Sequence, residues 1–219
     1  MVFDVESVGL FGSPFAVGWC VLDTSNGKIS DKGYLACPPW TVADEDSNNS
    51  MEWVSKNVLP HLPHPTWACL QSVCSGFDHV WRKWSKDGTL LAADVPWPVE
   101  ARFLSTMIEF RFRSEVDVAA IYPLIDIASV RLAAGFDPIG TFDRIFEGEI
   151  PQHHPTKDAR HSARLLWEAL DQMPVAPLTA KITWSLANQA VVAAARRLAL
   201  GTTSQYSRSC HCAGSTTRR

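Results

Sequence analysis

The sequence predicts an α/β fold built on a mixed five-stranded sheet, three antiparallel N-terminal strands and then parallel strands, flanked by helices. Three observations predict it. The chain opens on three short β-leaning runs separated by turn residues. A buried-looking apolar run, Thr89-Leu90-Leu91-Ala92-Ala93-Asp94, lies between two helical patterns, as a central parallel strand does. The last strongly periodic segment then reads as a helix over 157–172, with Ala159, Ala163, Leu166 and Leu170 on one face.

Taken in order, the opening Met1-Val2-Phe3-Asp4-Val5-Glu6 reads as the first strand. Period two sends Asp4 and Glu6 to the same face. Two like charges on a buried strand repel, and each is costly to desolvate unless a cation compensates it. Ser7 to Pro14, with two glycines and a proline, is a turn; the run over 15–22 is the second strand. Asn26-Gly27 marks a hairpin, and a third strand follows over 29–36. The irregular stretch 37–50 leads to a short helix from Met51 to about Leu59, with Ser50 as N-cap. His61 and His64, flanked by prolines, are loop residues rather than metal ligands, since no acid or cysteine stands at ligand spacing.

Phe77, Val80, Trp81 and Trp84 recur at i, i+3, i+4 and i+7, so 71–86 is an amphipathic helix. The spacing matches a core stripe better than a platform for stacking bases. After the central strand, Pro98 opens a helix that buries Val99, Phe103, Met107 and Ile108. A short strand is expected over 118–121, and a helix over 127–134 that Gly135 ends. Beyond the domain at 1–171, a basic helical extension is expected over 172–200 and a disordered tail over 201–219.

Composition bounds the function. With 219 residues, 46% of them hydrophobic and 20% charged, the chain can bury a substantial core. Residues 1–171 hold all 23 acids and 14 of the 20 Lys and Arg, a net −9, whereas 172–219 hold six bases and no acid. An acidic body argues against tight nonspecific binding to long duplexes by counterion release. It leaves room for a nucleic-acid enzyme whose positive charge comes from metal ions and a local groove. No apolar run reaches the roughly 18–20 residues of a membrane span, and no basic-then-apolar leader opens the chain, so a cytoplasmic protein without membrane partners is expected. Six cysteines without zinc-site spacing then read as free thiols.

The candidate chemistry lies in Asp4 and Glu6, Asp94 at a strand end, and His153 five residues before Asp158 at a helix start. Each has an ordinary alternative; Asp158, for instance, suits a helix N-terminus on charge alone. Their combination resembles the DEDDh (DnaQ-like) 3′→5′ exonucleases of the ribonuclease H-like fold. Phe3-Asp4-Val5-Glu6-Ser7-Val8-Gly9-Leu10 is similar to the first motif of that family, D-x-E-[ST]-x-G. Asp94 is similar to the second. His153-His-Pro-Thr-Lys-Asp158-Ala159 is similar to the third, H-x4-D-A, a spacing that selects His153 over His154. The Val-Pro-Trp-Pro-Val-Glu sequence after Asp94 departs from the family's context there.

The resemblance implies two divalent metal ions, Mg²⁺ or Mn²⁺, held by Asp4, Glu6, Asp94 and Asp158, with Asp4 as the bridge. It implies His153 as the general base, and Ser7, Gly9 and Leu10 against the substrate. The implied reaction releases nucleoside 5′-monophosphates from the 3′ end of single-stranded DNA or short RNA, and the family admits a homodimer. A catalytically silent nucleic-acid-binding or assembly module of the same fold, and a nuclease cutting internally, are the competing readings.

Overall fold

Successive side chains of β1 (Val2–Ser7) leave opposite faces of the sheet, and that alternation sorts the molecule into two cores. Phe3 and Val5 enter the larger one, with Val17, Trp19, Phe77 and Phe103. Val2 enters the smaller one, with Cys20, Ala92, Ile127, Ala159 and Ala163. Asp4 and Glu6 share the parity of Val2, so both point to the second face. The computed structural model describes residues 1–43, 48–111, 121, 123–140 and 142–173, and Met1–Met173 fold as one compact unit.

The sheet has five strands in the order β3-β2-β1-β4-β5. β2 (Pro14–Asp23) and β3 (Lys28–Ala36) form the expected hairpin, and β1 runs antiparallel to β2 with Asp4 opposite Gly18. β4 (Leu91–Ala93) pairs parallel with β1, and β5 (Leu124–Asp126) parallel with β4. The expected α/β class and mixed five-stranded sheet are therefore present. The fifth strand differs in place: Ile121 is a turn, 118–120 lie outside the described residues, and pairing begins at Leu124.

On the larger core lie α1 (Asn48–Asn57), α2 (Leu70–Ser85) and α3 (Val99–Arg111). Phe77 is the hub there, its ring centroid 5.4 Å from Phe3 and 5.3 Å from Phe103, so the aromatic stripe of α2 is core as its spacing requires. α1 begins before its expected start, which puts Ser50 inside the helix rather than at its cap. The stripe of α3 is also rotated: Phe103, Leu104 and Met107 are buried with Glu100, while Val99 and Ile108 are only partly buried. The second face carries α4 (Ile127–Ala133), capped by the Asp126 side chain on the Ala128 N–H, and α5 (Pro155–Gln172).

Gly18 lets α5 come down on the sheet. A Cβ there would fall 2.1 Å from the Thr156 nitrogen, so any side chain would lift the start of α5 off β2. The Thr156 hydroxyl then donates to the Gly33 carbonyl at 2.7 Å, fixing the helix to β3. The helical extension expected over 172–200 lies, beyond Met173, outside the described residues, as does the tail over 201–219. Among the described residues no helix is long and apolar enough to cross a membrane. Cys20, Cys37, Cys69 and Cys74 are free.

Candidate metal and catalytic site

The close seat of α5 on Gly18 carries the chain's third acidic segment over the first. Asp158, in the first turn of α5, comes to Glu6 and His153: one ligand-type atom from each of the three lies within 4.8 Å of the others. Glu6 and Asp158 are 9% and 8% exposed, so little water screens their charges.

Burial raises these acids, and neighbouring carboxylates raise Asp4, Glu6 and Glu100 further. Burial, then the carboxylates of Asp158, Glu6 and Glu100, pushes the Asp4 carboxyl well above its ordinary range, against a smaller pull from Arg144. Burial, then Asp158 and Glu100, takes Glu6 to about 8. Burial also raises Asp158, against the opposing pull of the Arg144 guanidinium. Arg144 donates to one oxygen of Asp158 and, at 2.7 Å, to the Glu149 carbonyl, which ties the loop before α5 to the site.

Glu100 is the acid that the sequence reading left out. It sits in the first turn of α3, 7% exposed, and burial takes its carboxyl to about 7, with backbone N–H groups of Glu100 and Val5 pulling down and Asp94 pushing up. Asp94 acts on the same group of acids: it raises Glu100, and His161 lowers both Asp94 and Asp158. Burial raises Asp94 too, and the charges acting on it are His161 and Arg131, which lower it, and Asp126, which raises it. Glu100 acts on both Asp4 and Glu6, and Asp94 acts on Glu100. A signal for it exists in the sequence: Glu100, Phe103, Leu104 and Met107 fall at i, i+3, i+4 and i+7, which places an acid on the buried stripe.

His153 is held in an unusual backbone conformation, φ 62°, which costs a non-glycine residue about 1–3 kcal/mol. Its ring meets the Trp53 ring edge to face, centroids 5.2 Å apart, and burial, Arg144 and His61 together lower its pKa. The imidazole is therefore neutral at neutral pH, the form that accepts a proton. His154 turns elsewhere: it precedes α5, its ring lies 5.8 Å from the Tyr34 ring at a tilt of 50°, and among the described residues its buried Nδ1 has no hydrogen-bond partner.

The three residues expected against the substrate divide. The Ser7 hydroxyl donates to the Gly9 carbonyl at 2.7 Å, and Gly9 adopts φ 81°, with a Cβ there falling 2.7 Å from the Ser50 hydroxyl. Both shape the turn against α1. Leu10 and its neighbour Phe11 are exposed.

Such a cluster makes stability depend on pH. Glu6, ordinarily near 4.5 and here about 8, keeps its proton in the folded chain where the unfolded chain has lost it. The folded state then binds more protons between those values, so the free energy of unfolding falls as pH rises. In EDTA the melting temperature is expected to drop from pH 5.5 to 8.5, measured by calorimetry, and saturating Mg²⁺ or Mn²⁺ should flatten that slope.

Scanned against models of protein families the chain matches none, and no curated protein matches it.

Proposed function

We propose that this protein is a metal-dependent 3′→5′ exonuclease of the DEDDh type on a ribonuclease H-like fold, acting on single-stranded DNA or short RNA. The observation that carries the reading is the meeting of Glu6, His153 and Asp158 within 4.8 Å, from segments about 150 residues apart in sequence. The donor set fits hard divalent cations: carboxylate oxygens, buried and crowded enough to raise Asp4 and Glu6, with one neutral imidazole at the edge.

Asp4, Glu6, Glu100 and Asp158 would hold the ions, with Asp94, whose charge raises the Glu100 carboxyl, as the alternative fourth ligand. When bound, Mg²⁺ or Mn²⁺ supplies positive charge at the scissile phosphate and makes water more acidic. His153 takes the proton of the attacking water, a role for which its lowered pKa and the Trp53 contact prepare it. Arg144, already on Asp158, offsets negative charge in the cluster and has further N–H groups for a phosphate oxygen. The exposed Leu10, Phe11 and Trp53 offer apolar surface to the terminal nucleotide.

Incubation with 5′-labelled single-stranded DNA and RNA tests the reading. A ladder shortening from the 3′ end in Mg²⁺ or Mn²⁺, abolished by EDTA, is expected. Internal cuts would replace it with an endonuclease, and intact substrate with a silent binding module. In the same assay Glu100→Gln should lower turnover about 100-fold or more, and Asp94→Asn less. The opposite ranking would return the fourth ligand position to Asp94.

A further inference from the structure

A cavity of about 680 Å³, within the size range of small-ligand sites, lies against the start of α5 and is lined by Lys32, Tyr34, Glu147, His154, Lys157 and Arg160. It adjoins the carboxylate site through the chain itself. His154 follows His153, Lys157 precedes Asp158, and the Tyr34 ring centroid lies 5.8 Å from that of His154. Three cations against one acid is an unusual local balance on a body of net charge −9.

The cations are also underused. Lys157 donates to the Ile150 carbonyl, which leaves two of its three hydrogens. Among the described residues, the Lys32 ammonium and the Arg160 guanidinium have no hydrogen bond or ion pair. The Arg160 guanidinium lies close against the Gly148 backbone, where a Cβ would fall 2.4 Å from its carbon. One arginine and two lysines lining the same cavity, with donors to spare, match the oxygens of a phosphate.

We propose that this cavity is a phosphate subsite that holds a phosphate of the substrate strand upstream of the scissile bond. The proposal rests on the exonuclease reading for the strand's direction. The phosphate can be an internal phosphodiester or the 5′-terminal phosphate of a short oligonucleotide, which share the same oxygens. Tyr34 and His154 add flat rings beside the cations, suited to a single strand whose sugars and bases are free to turn.

The double variant Lys32→Ala/Arg160→Ala tests it against probes with and without an upstream phosphate. The p-nitrophenyl ester of thymidine 5′-monophosphate has none, and kcat/KM on it is expected to match wild type. On a trinucleotide KM should rise about tenfold or more with kcat little changed. The dependence of log kcat/KM on log salt should flatten by about 0.7 per lost phosphate contact, a change that a purely structural role would not make. Lys32→Glu alone, on the edge strand β3, should raise KM more than Lys32→Ala. Loss on an unphosphorylated trinucleotide assigns the subsite to the internal phosphodiester; loss only with 5′-phosphorylated dinucleotide assigns it to the terminal phosphate. Equal KM values and salt slopes for wild type and variants on every oligonucleotide would overturn the proposal.

Binding of 5′-phosphorylated trinucleotide in EDTA, followed by tryptophan fluorescence, separates the two readings. If no substrate is cleaved yet binding weakens in the double variant, the exonuclease reading fails and the subsite stands. If binding is unchanged, the subsite fails whatever the activity.

Discussion

Asp4→Asn should lower turnover by about 10³-fold or more while leaving the metal-free protein at least as stable as wild type. The two halves of that expectation have one cause. Asp4 lies on the central strand β1, and burial and the carboxylates of Asp158, Glu6 and Glu100 all oppose its charge. An amide keeps the shape and removes the repulsion, so folding loses nothing at pH 8, where the charged form is most costly. The same exchange removes a carboxylate that would help to hold the metal ions. Turnover on labelled oligonucleotide and the melting temperature in EDTA at pH 8 check both halves. A variant that unfolds in EDTA at lower temperature than wild type would show that Asp4 serves the fold rather than the ions.

His153→Ala is the second large effect, about 10²- to 10⁴-fold on kcat, as for loss of a general base. His154→Ala, one residue on, should change kcat only a few-fold. The structure gives the contrast a physical basis. His153 shares its position with Glu6 and Asp158, whereas His154 faces Tyr34 and the cationic cavity. The pH profile adds a distinguishing mark. With subsaturating Mg²⁺, wild-type activity should rise through about pH 7–8, because Glu100 at about 7 and Glu6 at about 8 must lose protons to accept an ion. Saturating metal should move that limb to lower pH. Single-turnover rates for both variants across pH 5.5–9 check the assignment, and equal rates would remove His153 as the base.

Much of this was legible in residue pattern because local rules and the fold agree. Alternation on β1 declares that Asp4 and Glu6 share a face, and Asn26-Gly27 declares the hairpin whose first strand pairs with β1. The H-x4-D spacing places a loop histidine one turn from the first acid of α5, where both are found. The parts that were not legible depend on contacts between segments distant in sequence. Glu100 follows two prolines, so it reads as an ordinary favourable charge at a helix start until its burial beside Asp4 and Glu6 is known. Arg144 lies in an irregular loop with no periodicity, and only its contact with Asp158 gives it a role. Trp53 looks like one of nine tryptophans until α1 brings its ring against His153. The apolar run over 118–121 draws the expected fifth strand, whereas the residues that pair with β4 are Leu124–Asp126.

Calorimetric titration of Mn²⁺ into the wild-type protein and into Asp4→Asn tests the metal centre most directly. Saturable binding is expected in wild type, tightening from pH 6 to 8.5 and releasing protons, seen as a heat that varies with the ionisation enthalpy of the buffer. Asp4→Asn should lose that binding. The absence of saturable binding in wild type at millimolar Mn²⁺, or equal binding by the variant, would contradict the assignment of Asp4, Glu6, Glu100 and Asp158 as ligands.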